Sequence, residues 1–152
     1  MNISKDKLGT PDLSFAGLQI WIHEREFPNL KGSFDGDWLI VTVHCGAQGA
    51  EVWAQGPIIH LSEIANYLKQ VESMYKTFNG EAELGWMEPN LSARMKIGKR
   101  GQVSLVVEIT PDHLTQQHKF TFDINQSYLP SLIQDLKAIL QRFPIEDRER
   151  KL

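Results

Sequence analysis

The sequence predicts an α+β domain: a mostly antiparallel, strongly twisted sheet of about seven strands with two helices, in the order βββαββββα. Three observations predict it. Short runs alternate apolar and polar residues with a period of two, as half-buried strands do. Two longer segments, 63–78 and 129–143, switch to apolar spacings of three and four, the signature of amphipathic helices. The strands come in blocks rather than alternating with helices, which favours an antiparallel arrangement over a doubly wound one.

The first strand pattern lies in residues 13–24, where Leu18, Ile20 and Ile22 alternate with Gln19, Trp21 and His23. Residues 26–36 are rich in turn formers and read as a long loop, whose Phe27, Leu30 and Phe34 suggest that it packs down. Trp38 to Val43 is apolar on both faces, as in a strand covered on two sides. After a turn at Gly46–Gly49, a third strand runs around Glu51–Ala54, and Gly56-Pro57 interrupts or ends it.

Ile64, Tyr67, Leu68, Val71, Met74, Tyr75 and Phe78 then form one helical stripe, with Ser62 as the N-cap and Asn79-Gly80 as the stop. Four short strands follow. Ala82, Leu84 and Trp86 face one way in the first, and Leu91, Ala93, Met95 and Ile97 in the second. Val103, Leu105, Val107 and Ile109 mark the third, and Phe120, Phe122 and Ile124 the fourth. Their short connections make them an antiparallel meander. Ser127 caps the last helix, Pro130 is tolerated in its first turn, and Pro144 ends it. Both helices are expected to pack on the inward face of one sheet. The organisation is an arm over 1–12, one domain over 13–144 and a charged, fraying tail over 145–152.

Composition bounds the function. A chain of 152 residues fits one domain, and 41% hydrophobic with 23% charged residues is ordinary globular composition. Cys45 is the only cysteine, which excludes an intrachain disulfide and a C-x-x-C site and points to a reducing, cytoplasmic setting. No run reaches the ~20 apolar residues of a membrane span, and no signal peptide opens the chain. Net charge is −3, with 4 Lys/Arg against 7 Asp/Glu in residues 1–60 and no concentrated basic face. Nucleic acid is therefore not the expected partner.

No catalytic motif emerges. The five histidines lack ligand spacing, and neighbouring strand residues such as His44 and Cys45 point to opposite faces. Cys45, in phase with Leu39, Val41 and Val43, reads as a buried inert thiol. Glu81 and Glu83 share one strand face and read as solvated surface. No metal, cofactor or catalytic residue is expected. The tryptophans are more informative: Trp21 and Trp38 lie opposite their aliphatic neighbours, and Trp53 fits the same pattern. Either they build a second small core under the 25–36 loop, or they form an exposed anchor patch. With Glu24, Asp35, Asp37 and Glu51 near in sequence, the patch (Trp53 included) would be aromatic with an acidic rim, suited to a basic protein.

Asp37-Trp38-Leu39-Ile40-Val41, the helix with Leu68, the hairpin strands through Val103–Ile109 and the ending Tyr128-Leu129…Leu132…Leu136…Ile139-Leu140…Phe143-Pro144 together resemble WapI-type immunity proteins, over about residues 13–144. The resemblance implies a non-enzymatic bacterial protein that silences a toxin domain by occluding or distorting it, and the acidic N-terminal part makes a basic toxin the expected partner. Two other readings stay open: a small-molecule-binding or enzymatic domain with its site in the sheet concavity, and a homo-oligomeric scaffold.

Overall fold

Alternation along the chain produces eight strands among the described residues, and they form two four-stranded antiparallel sheets rather than one. The computed structural model describes residues 5–147. A short helix α1 (Lys5–Leu8) precedes β1 (Leu13–Phe15), β2 (Leu18–Arg25), β3 (Trp38–Ala47) and β4 (Ala50–His60). These pair in chain order as the N-terminal sheet. Helix α2 (Leu61–Thr77) leads to β5 (Glu81–Leu84), β6 (Leu91–Ile97), β7 (Gln102–Ile109) and β8 (Lys119–Asn125), the C-terminal sheet. Helix α3 (Leu129–Arg142) follows. The single expected sheet divides because α2 carries the chain away from β4 before β5 begins, so those two strands never pair.

The apparent first strand is itself two. Phe15 pairs with Leu18 across a two-residue turn in which Ala16 takes a φ of 52°. Gly17 is required there by close approach: its carbonyl accepts the Gly46 N–H at 3.1 Å, and a Cβ would lie 2.1 Å from the Gly46 oxygen. Gly56-Pro57 does not end β4. The register slips between Leu39–Ile59 and Ile40–Pro57, a bulge on an edge strand where the missing proline N–H is tolerated.

The helix ends also differ from expectation. His60, not Ser62, caps α2: its Nδ1 accepts the Ser62 N–H at 3.2 Å, while Glu63 Oε1 accepts the His60 N–H at 3.1 Å. A histidine can take this role because its ring nitrogen sits where a capping oxygen would. Phe78, at φ 52°, closes the helix one residue before Asn79-Gly80, and Tyr75 and Phe78 lie outside the buried stripe. Ser127 does not cap α3. It donates its own N–H to Asn125 Oδ1 at 2.9 Å, within a 3-10 turn over Gln126–Tyr128.

The inner faces of both sheets meet the apolar stripes of α2 and α3 in one continuous core. Leu39, Val41, Val43, Leu84, Leu105, Val107, Leu132 and Leu136 are fully buried within it. α2 packs on β5 and α3, while α3 also covers β1. The interior that a ligand in the sheet concavity would need is filled with these side chains.

The segments flanking this core are tied down. The Trp21 indole N–H donates to the Gly9 carbonyl at 3.0 Å, so the N-terminal arm lies against the outer face of β2. At the other end, Glu146 and Asp147 donate backbone N–H groups to Asp37 at 2.8 and 3.1 Å, so this part of the expected tail is held. The fraying expected of 148–152 lies outside the described residues.

Candidate protein-interaction surface

Strand geometry gives the N-terminal sheet two unlike faces. Leu39, Val41, Val43 and Cys45 of β3 point into the core, so Trp38, Ile40, Thr42 and His44 point outward. Cross-strand pairing sets His44 beside Trp53, Thr42 beside Gln55, Ile40 beside Pro57 and Trp38 beside His60. The outer face therefore sets aromatic and apolar groups (Trp38, Ile40, Trp53 and Pro57) among the polar side chains of Thr42, His44 and Gln55.

Two aromatic clusters stand on it. Trp21 and Trp53 stack at 5.9 Å between ring centroids, and His44 leans on Trp53 at 4.3 Å. Trp21 is buried beneath the N-terminal arm, whereas Trp53 remains half-exposed. The second cluster joins the sheet to the 26–37 loop: Phe34 stacks on His60 at 4.0 Å and meets Trp38 edge-on at 6.5 Å, with Trp38 against His60 at 5.0 Å. His60 Nε2 also bonds the Phe34 carbonyl at 2.8 Å, fixing the loop to the start of α2. The expected small core under the loop thus holds for Trp38 only, because Trp21 and Trp53 pair elsewhere. The loop's apolar residues do not pack down fully: Phe27, Leu30 and Phe34 keep 43%, 45% and 41% of their surface exposed.

The acidic residues separate by environment. Glu24 and Asp35 are exposed, and Glu51 is exposed while bonding His44 Nε2 through its carboxylate at 2.9 Å. Asp37 leaves the expected surface set. It is fully buried, pairs with Arg25 at 3.1 Å and accepts the two backbone N–H groups of Glu146 and Asp147. A buried carboxylate so fully bonded has nothing left to offer a partner. Glu24, Asp35 and Glu51 remain exposed, on β2, the 26–37 loop and β4, which also carry or adjoin Phe34 and Trp53.

Other titratable groups fall into structural roles. Cys45 is buried, and desolvation pushes its thiol up to about 12, far from a nucleophile's range. Glu81 lies 3.7 Å from Lys96, its cross-strand neighbour, and Glu83 stands opposite Arg94, so the two carboxylates belong to a solvated charge ladder. Among the described residues no group of three or more His, Cys, Asp or Glu could hold a metal ion, and no helix is long and apolar enough to cross a membrane.

Two residues escape sequence reading. Trp86 continues the alternation of Ala82 and Leu84, yet Gly85, at φ 82°, ends β5 before it, and Trp86 stands 57% exposed on the following loop. Glu63 looks like an ordinary first-turn acid but is fully buried, its carboxyl pushed above the usual range by desolvation.

The model of the immunity protein WapI-like family matches residues 10–144. The chain belongs to the WapI-like immunity protein family. No curated protein and no solved structure gives a significant match. Membership accounts for the strands and helices from β1 to the end of α3, and it directs attention to surfaces rather than to a catalytic cleft.

Proposed function

We propose that this chain neutralises a toxin domain by binding it directly, through the outer face of the N-terminal sheet and the adjoining 26–37 loop. The observation that supports the reading is the set of solvent-reaching aromatics Trp53, Trp38 and Phe34, with Glu24, Asp35 and Glu51 exposed on the same sheet and loop. Aromatic anchors of this kind supply most of the energy of a protein interface, and a surrounding charge of one sign selects and steers a partner of the other. The partner is accordingly a basic protein domain. Family membership supports the same reading, since an immunity protein has a toxin as its target. Neutralisation proceeds by occlusion: the toxin's basic surface is covered, and this chain performs no chemistry. It acts in the cytoplasm of the cell that makes the toxin.

Co-expression tests this. A toxic domain encoded beside this chain should stop growth when expressed alone and be tolerated when this chain is supplied. The purified pair should form a complex that weakens with salt, as steering by charge requires. Continued toxicity with no complex between the purified proteins would remove the proposal.

A further inference from the structure

We propose that the loop after β5, with Trp86 on it, forms the second half of the toxin-binding surface, and that the buried pair His60 and Glu63 holds it in register with the Phe34–Trp38 cluster. This rests on the neutralisation reading above and names a part of the surface that neither the family match nor the sequence pattern assigns.

The geometry runs through the start of α2. His60 and Glu63 are both fully buried. The His60 ring stacks on Phe34 at 4.0 Å, meets Trp38 at 5.0 Å and bonds the Phe34 carbonyl, so it fixes the first loop. Its backbone N–H donates to Glu63 Oε1. The second Glu63 oxygen, Oε2, is buried there without a hydrogen-bond partner. Two turns further along α2, the Gln70 carboxamide oxygen accepts the Glu83 N–H at 3.0 Å, so the start of α2 lies beside the end of β5 from which the Trp86 loop departs. The start of α2 therefore holds the first loop directly and adjoins the strand end that leads into the second.

What this arrangement presents is an exposed tryptophan on a restrained backbone. Trp21 is buried, Trp38 and Trp53 are half-buried, and Trp86 is the tryptophan most open to solvent. The loop carrying it is anchored at both ends, by Gly85 beside the Leu91 carbonyl and by the Thr110 N–H donating to Asn90 O at 3.0 Å. A large side chain held on an ordered loop loses little freedom on binding, which is the condition for a dominant contact. The charge of the region selects the partner. Asp35 and Glu88 flank the two loops, against Lys31 as their one basic residue, since Arg25 is occupied by Asp37. A basic protein with an apolar recess for the indole fits it.

The test is calorimetric titration of the toxin domain encoded beside this chain into the full chain and its variants. Trp86→Ala should weaken binding by about thirtyfold or more, as loss of a dominant anchor does. Tyr128→Ala, equally exposed but at the opposite end of the C-terminal sheet, should leave affinity within about twofold. Glu63→Gln should weaken binding in the wild-type background and cost less when Trp86 is already alanine, because part of its effect passes through that side chain. Wild-type affinity in Trp86→Ala overturns the inference while leaving the neutralisation reading in place. Equal losses from Tyr128→Ala, or additive losses in the double variant, overturn it as well. Absence of any wild-type binding fails the underlying reading instead.

Discussion

Arg25 and Asp37 meet at 3.1 Å in the interior, and the same aspartate receives the backbone of Glu146 and Asp147, residues more than a hundred positions away. Arg25 completes the clasp by donating to the Gly36 carbonyl at 2.8 Å and to the Pro144 carbonyl. Removing the aspartate would strand a largely buried guanidinium and free two N–H groups. Asp37→Ala should therefore destabilise the fold by about 3 kcal/mol, read from urea unfolding, and open the 143–147 segment to proteolysis. A loss below about 1 kcal/mol would mean that the clasp is ornamental.

Glu63 makes stability depend on pH in an unusual direction. Burial raises its carboxyl above the ordinary value of 4.5, outweighing the nearby amide dipoles. The folded chain thus holds this proton more tightly than the unfolded chain does. Its contribution is complete below the unfolded value and is lost as pH rises through the raised folded value. As pH rises above 4.5, wild type should lose stability relative to Glu63→Gln, measured as paired unfolding midpoints. A constant gap across that range would exclude Glu63 as the source.

Cys45 offers a probe of opening. With its thiol pushed up to about 12, roughly one molecule in 10,000 carries a thiolate at about pH 8. A thiol reagent should leave the native chain unlabelled for as long as it stays folded and react at once in denaturant. Rapid native labelling would show that the N-terminal sheet opens readily.

The exposed acids should govern encounter more than grip. Glu24→Lys with Asp35→Lys changes surface charge without touching the core. The double variant should fold normally, with association to the toxin domain slowed by about tenfold at low salt and dissociation nearly unchanged. An effect confined to the dissociation rate would instead place these residues inside the contact.

Much of this architecture is legible from periodicity, and the failures share a cause. Leu39, Val41, Val43 and Cys45 announce an inward strand face, and the stripes of α2 and α3 announce their packing sides. Strand partnership is not written that way. β4 and β5 both read as strands, and only the course of α2 between them reveals two sheets. Asp37 sits among surface-like acids, and nothing near it in sequence shows that residues 146 and 147 return to it. Trp86 keeps perfect alternation with Leu84, but the left-handed backbone of Gly85 redirects it. Likewise, Trp53 was legible as an outward tryptophan, while its stacking on Trp21 depended on cross-strand register.

The order in which strands pair has a consequence for how the molecule is made. Every strand bonds only with its immediate predecessor or successor, so each meander can zip as it leaves the ribosome, without waiting for a distant segment. Closure is different. α3 docks on β1 and α2, and the backbone just beyond it seats on Asp37, so the C-terminal end of the described fold latches back onto its N-terminal sheet. A nascent chain stalled before residue 129 would hold two assembled sheets with an apolar face still bare, and the emergence of α3 covers that face in a single step.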